Sequence, residues 1–161
     1  LTLNIITPTT IKFSNEHFLN HHAVIREDKT TSKIRIVFDG SCKGKNGKSL
    51  NHFLYEGNVE WNMIEVLLRF RAGRYAMAAD ITKAFLMISV DESDQEFLKF
   101  LWLDKDSKII AYKFQRVPFG TSASPFLLFS ALKKISLDHP NFASLLPHFY
   151  VDDFLYSSDN K

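Results

Sequence analysis

Phe149-Tyr150-Val151-Asp152-Asp153-Phe154-Leu155 sets two adjacent carboxylates between short runs of strand-forming residues. Aromatic and β-branched types on both sides predict two short strands that meet at the acidic pair. Neighbouring carboxylates repel each other and resist burial, so an Asp-Asp held at a strand end calls for a compensating charge. A divalent cation supplies it, because Mg²⁺ takes carboxylate oxygens in octahedral geometry. The alternative is that Asp simply favours turns. Asp80 weighs against that alternative. It closes the apolar run Tyr75-Ala-Met-Ala-Ala79, which reads as a buried strand where an unpaired charge is costly. If that strand neighbours the acidic hairpin, Asp80 and Asp152 converge on one cation pair. Two ions roughly 3.5–4 Å apart, held by such carboxylates, are the usual device for in-line phosphoryl transfer.

Outward from this stretch the pattern is α+β with a mostly antiparallel sheet. Lys33-Ile-Arg-Ile-Val-Phe38 alternates basic and apolar residues as a strand with one solvated face does, and His22-Ala-Val-Ile25 is its expected hairpin partner. Asn58 is placed to cap a helix over residues 60–71, with Asn62, Glu65 and Arg69 as its polar stripe and Ile64, Val66, Leu67 and Phe70 facing inward. Gly73 would end it. Residues 97–103 and 109–117 flank an Asp-Lys-Asp-Ser turn and read as a hairpin. Pro125, with Ser124 as its cap, opens a helix to residue 137.

Composition narrows the function. The 161 residues are one domain's length; 45% are apolar and 24% charged, enough for a packed core and too apolar for a disordered tail. A net charge of +2 excludes a uniformly basic wrapper of nucleic acid. Charge is concentrated locally: between Val24 and Lys48 seven basic residues stand against three acids. One cysteine excludes a disulfide framework and any multi-Cys metal site, and makes a reducing compartment the default. No signal peptide is visible and no apolar run approaches the ~18–20 residues of a membrane span. The chain starts at Leu1, so a fragment or processed piece is expected. Gly47-Lys48-Ser49 imitates the end of a phosphate-binding P-loop, but Cys42 stands where the first glycine belongs.

Four segments together resemble reverse transcriptases. Tyr150-Val-Asp-Asp153 resembles the Y-x-D-D signature. Ala79-Asp-Ile-Thr-Lys-Ala-Phe85 resembles the first catalytic block, an aspartate followed five residues later by an aromatic. Val117-Pro-Phe-Gly-Thr-Ser-Ala-Ser-Pro125 resembles the L-P-x-G-x-x-x-S-P block, and Lys33-Ile-Arg-Ile-Val-Phe-Asp39 the fingers strand with a nucleotide-binding arginine. They stand in the family's order. Finer segments are similar to the BEL/Pao group of LTR retrotransposons: His21-His-Ala-Val-Ile-Arg26, Arg35-Ile-Val-Phe-Asp-Gly-Ser41, Ser49-Leu-Asn51, Leu67-Leu-Arg-Phe-Arg71 and Phe119-Gly-Thr-Ser122.

The resemblance implies a right-hand polymerase: fingers mainly in residues 1–73 and 91–117, palm mainly in 74–90 and 118–161, and a thumb absent from the chain. It implies RNA-directed DNA polymerase chemistry, with Asp80, Asp152 and Asp153 catalytic and Asp80, Asp152, Asp153 and the Ile81 carbonyl holding two Mg²⁺ ions, Mn²⁺ being the substitute. Arg35, with Lys33 or Lys29, would bind the β- and γ-phosphates of the incoming nucleotide. Phe85 would lie under its sugar and reject a 2′-hydroxyl; the plain alternative is core packing. Phe119 and Gly120 would line the pocket near the new base pair, with Pro118, Tyr150 and Val151 as supporting motif positions. The implied partners are an RNA or DNA template with primer, deoxynucleoside triphosphates, and the rest of a polyprotein (thumb, RNase H, protease, integrase), with no membrane. The implied location is a cytoplasmic retrotransposon particle, with the nucleus as a second place. The expectation for the chain alone is weak polymerisation or none. The alternatives are an inactive or co-opted element remnant that at most binds nucleic acid, and a template-directed RNA polymerase or another two-metal transferase.

Overall fold

The computed structural model describes residues 4–12, 16–27 and 33–160. Lys29 lies outside them. Helices mix with sheets whose strand pairs are all antiparallel among the described residues. The chain divides into two compact units, Leu1–Glu56 with Phe85–Ser124 and Gly57–Ala84 with Pro125–Lys161.

In the first unit, strand β1 (Ile6–Thr9) pairs with β6 (Ile109–Phe114), and β6 pairs with β5 (Lys99–Leu103). The expected 97–103/109–117 hairpin is therefore present, trimmed at its ends. Strand β1 is an addition the pattern did not announce. It contains Pro8, which has no N–H to give a ladder, and it is tolerated because β1 is an edge strand. The hairpin of β2 (Asn20–Ile25) and β3 (Ile34–Asp39) forms as expected, in the register Val24 opposite Arg35. Leu19, Leu50, Leu98, Phe100 and Phe114 form the buried core, and Phe38 from β3 packs on it. Its ring meets Phe100 at 5.0 Å and Phe114 at 4.8 Å, both edge to face, the geometry the ring quadrupole favours.

In the second unit the sheet order is β4 (Tyr75–Asp80), β8 (Asp153–Ser158), β7 (Phe149–Tyr150). Helix α1 spans Met63–Phe70 and packs on β8. Its cap is Asn62 rather than Asn58: the Asn62 Oδ1 accepts the Ile64 and Glu65 N–H groups at 3.1 and 3.3 Å. Satisfying two otherwise orphaned amides makes the later start the better one. The inward face is narrower than expected, with Leu67 as well as Ile64 exposed. Val66 is buried, but Ile64 is 70% exposed. The packing of α1 on β8 goes with the placement of residues 57–73 in this unit. Helix α2 (Ser124–Asp138) covers the expected residues. Its inner positions Leu128, Phe129 and Leu132 are buried.

One expectation is corrected outright. Strand β4 is exposed at every residue, with Met77 at 53%. An all-apolar run suits a strand buried on both faces, but β4 lies at the edge of a three-stranded sheet. Asp80 therefore ends an open strand, and solvent relieves the burial cost that the sequence argument assigned to it.

Candidate active site

The acidic residues meet through register. Asp80 is directly opposite Asp153 on β8, and Asp153 is directly opposite Tyr150 on β7. Side chains directly opposite across an antiparallel sheet share a face, so Asp80, Asp153 and Tyr150 form one row. Phe154 stands opposite Ala79 and Phe149 in the adjacent row. Phe149 is buried and its ring lies 4.9 Å from that of Phe154. Apolar packing on that row holds the acidic row in place.

Asp152 occupies the turn between β7 and β8. Its carbonyl accepts the Ile81 N–H at 2.9 Å, which fastens the end of β4 to the tip of the hairpin. Asp80 is thus brought beside the acidic hairpin, with Asp153 rather than Asp152 as its cross-strand partner. Val151 precedes Asp152 in the turn at φ +58°. A positive φ at the first of two hairpin-loop residues is a place glycine usually fills. A β-branched residue there is strained by about 1–3 kcal/mol, and such strain concentrates at functional sites. The sequence marked Val151 only as a motif position; the strain was not legible in it.

The donor set suits a hard cation. All of the candidate ligands are oxygens, Asp80 and Asp153 are exposed, and Asp152 is half-buried. The Ile81 carbonyl already accepts the Ala84 N–H at 3.1 Å, which leaves it one lone pair. Among the described residues no group of three or more His, Cys, Asp or Glu side chains forms a ready metal cage. Mg²⁺ does not need one: it keeps several waters and is held by one or two carboxylates together with substrate phosphates. The residues therefore fit the ion as a shared site rather than a closed protein one.

The remaining candidates belong to the other unit. Arg35 and Lys33 are exposed, Arg35 on β3 and Lys33 just before it. Among the described residues the Arg35 guanidinium has no hydrogen-bond or ion-pair partner, so it is available to an anion. Phe85 is 8% exposed, and its ring stands edge to face against that of Phe119 at 5.0 Å. Phe119 itself is 47% exposed. Pro118 is fully buried, and its carbonyl accepts the Ser124 hydroxyl at 2.8 Å. Ser124 is thereby the first residue of α2 with its side chain turned back into the loop, rather than the amide cap the sequence suggested. Gly120 holds φ +90°, and a Cβ there would overlap the Phe38 carbonyl oxygen, so only glycine fits.

No helix among the described residues is long and apolar enough to cross a membrane. No curated protein matches the chain. A family model described as reverse transcriptase (RNA-dependent DNA polymerase) matches residues 25–161. That match takes in most of the sequence, and the chain belongs to this family.

Proposed function

We propose that this member of the reverse transcriptase family joins deoxynucleoside triphosphates to a primer 3′-hydroxyl on an RNA or DNA template, as a BEL/Pao-type retrotransposon enzyme. The observation that carries the reading is the row of Asp80 and Asp153 beside the strained Val151-Asp152 turn. Asp80 and Asp152 are assigned to hold two Mg²⁺ ions, with Asp153 beside them and the Ile81 carbonyl contributing its free lone pair. Such ions, when bound, lower the pKa of the attacking hydroxyl and neutralise charge on the triphosphate and leaving pyrophosphate. Arg35, assisted by Lys33, is assigned to the β- and γ-phosphates, which a planar guanidinium fork suits. Phe85 is assigned as the ring under the sugar: it offers a 2′-hydroxyl neither space nor a hydrogen bond. Phe119 and Gly120 are assigned to the wall near the new base pair. The right-hand reading keeps the fingers mainly in residues 1–73 and 91–117 and the palm mainly in 74–90 and 118–161.

Single-nucleotide addition to an annealed primer, at high protein concentration in Mg²⁺, tests the assignment. Asp80→Asn and Asp152→Asn should each lower the rate by roughly 10²-fold or more, the scale of removing one preorganised electrostatic element. Their melting temperatures should stay near that of the parent. Addition by the Asn variants at the parent rate would refute the roles given to these aspartates. Template–primer binding by the parent with no addition would favour the non-enzymatic remnant instead.

A further inference from the structure

Two loop segments ten positions apart and a third far along the chain meet at one side chain. Asn51 Oδ1 accepts the Ser122 N–H at 3.0 Å, and its Nδ2 donates to Ser41 Oγ at 2.9 Å. The Asn51 N–H donates to the Gly40 carbonyl at 2.9 Å, and the Gly40 N–H donates to the Gly120 carbonyl at 3.0 Å. The approach is close enough to require both glycines. A Cβ on Gly40 would stand 2.5 Å from Asn51 Oδ1 and 2.7 Å from the Gly120 oxygen. On its far side the turn is tied by buried hydroxyls, Ser124 to the Pro118 carbonyl at 2.8 Å and Thr121 with Ser124 at 2.5 Å. Beside these anchors the Phe119 side chain rests on Phe85 and remains half open.

We propose that Asn51 is a positioning residue for nucleotide selection: it locks the Phe119–Gly120 turn to the end of β3, the strand that carries Arg35. The inference rests on the assignment of Phe119 and Gly120 to the nucleotide pocket. Asn51 itself is assigned no contact with substrate. It fixes the backbone from which Phe119 projects, so its loss loosens ground-state grip on the nucleotide more than the chemical step. An acceptor facing Ser122 is the essential element. Aspartate keeps it, and the Ser41 hydroxyl can turn to donate to the carboxylate; alanine offers neither bond.

The experiment compares the parent, Asn51→Ala and Asn51→Asp by amide exchange and by single-nucleotide addition. Asn51→Ala should speed exchange at Gly40 and across residues 120–122 by about 10-fold while leaving the β5–β6 amides protected. Its KM for the nucleotide should rise about 5–20-fold with kcat within about twofold, and Asn51→Asp should recover most of the loss. An unchanged KM in an active Asn51→Ala protein overturns the proposal alone. Loss of kcat together with exchange throughout the unit, unrescued by Asn51→Asp, overturns it in favour of plain structural support. If Asn51→Ala does not fold, Ser41→Ala removes only the Nδ2 contact and should raise KM by a smaller factor; no rise overturns it. A parent that neither binds nor adds a nucleotide defeats the functional reading itself, and the proposal with it.

Discussion

Gly120→Ala is the sharpest test of how the 118–122 turn is built. The new Cβ would overlap the Phe38 carbonyl oxygen and lie 2.9 Å from the Phe38 carbonyl carbon, so backbone rather than a flexible side chain must move. Holding a residue with a Cβ at φ +90° costs about 1–2 kcal/mol. Forcing two backbone segments apart adds about 1–3 kcal/mol, the range for overpacking. Stretching the Gly40-to-Gly120 hydrogen bond of 3.0 Å removes about 1 kcal/mol more. The expected total is about 3–6 kcal/mol. Gly47→Ala is the matched control: Gly47 also has positive φ, +74°, but nothing lies within 4 Å of its would-be Cβ. It should lose only the about 1–2 kcal/mol of backbone strain. Any gain from a stiffer unfolded chain is common to both variants and cancels in the comparison. Urea titration should separate them by about 2–4 kcal/mol, and thermal melts by roughly 4–16 °C for a chain of this length. Equal losses in the two variants would refute the claim that close backbone approach, rather than φ alone, dictates glycine at 120.

Three further outcomes follow from single features. Asn62→Ala removes the acceptor for the Ile64 and Glu65 amides and should cost about 1 kcal/mol by urea titration, whereas Asn58→Ala should cost little; the reverse order would restore Asn58 as the cap. Val151→Gly should relieve the strain at φ +58° and leave stability unchanged or about 1 kcal/mol higher, while single-nucleotide addition falls; a clear destabilisation would contradict the strain. Hydrogen bonds from Lys99 and then Lys113 hold the Glu96 carboxyl at about 2, below its ordinary 4.5. A depressed carboxylate contributes stability above its unfolded pKa and loses it as pH falls through the folded one, so the urea midpoint should decline between pH 4.5 and about 2. Glu96→Gln should flatten that acid limb, and an unchanged slope would show that the ion pairs do not carry it.

The sequence determined what depends on neighbours along the chain. Alternation placed the β2–β3 hairpin, the Asp104–Ser107 turn placed β5–β6, and the order of strand formers around Asp152 and Asp153 placed the acidic turn. The aspartates, Arg35 and Phe119 stand in short motifs, so roles could be proposed for them from the sequence alone. What the sequence could not determine depends on partners distant in the chain. An all-apolar run reads the same at the centre of a sheet and at its edge, so only the strand order left β4 open. Lys99 would be expected to face water from a strand, yet it is 3% exposed because Glu16, 83 positions away, and Glu96 reach it at 2.6 Å each. Register made Asp153, not Asp152, the direct partner of Asp80, and turn geometry forced Val151 into positive φ. The Asn51 junction joins three segments whose motifs were each visible, but a hydrogen bond between Asn51 and Ser122 spans 71 positions. Local preference acts over a few residues, whereas these contacts exist only once the chain has closed on itself.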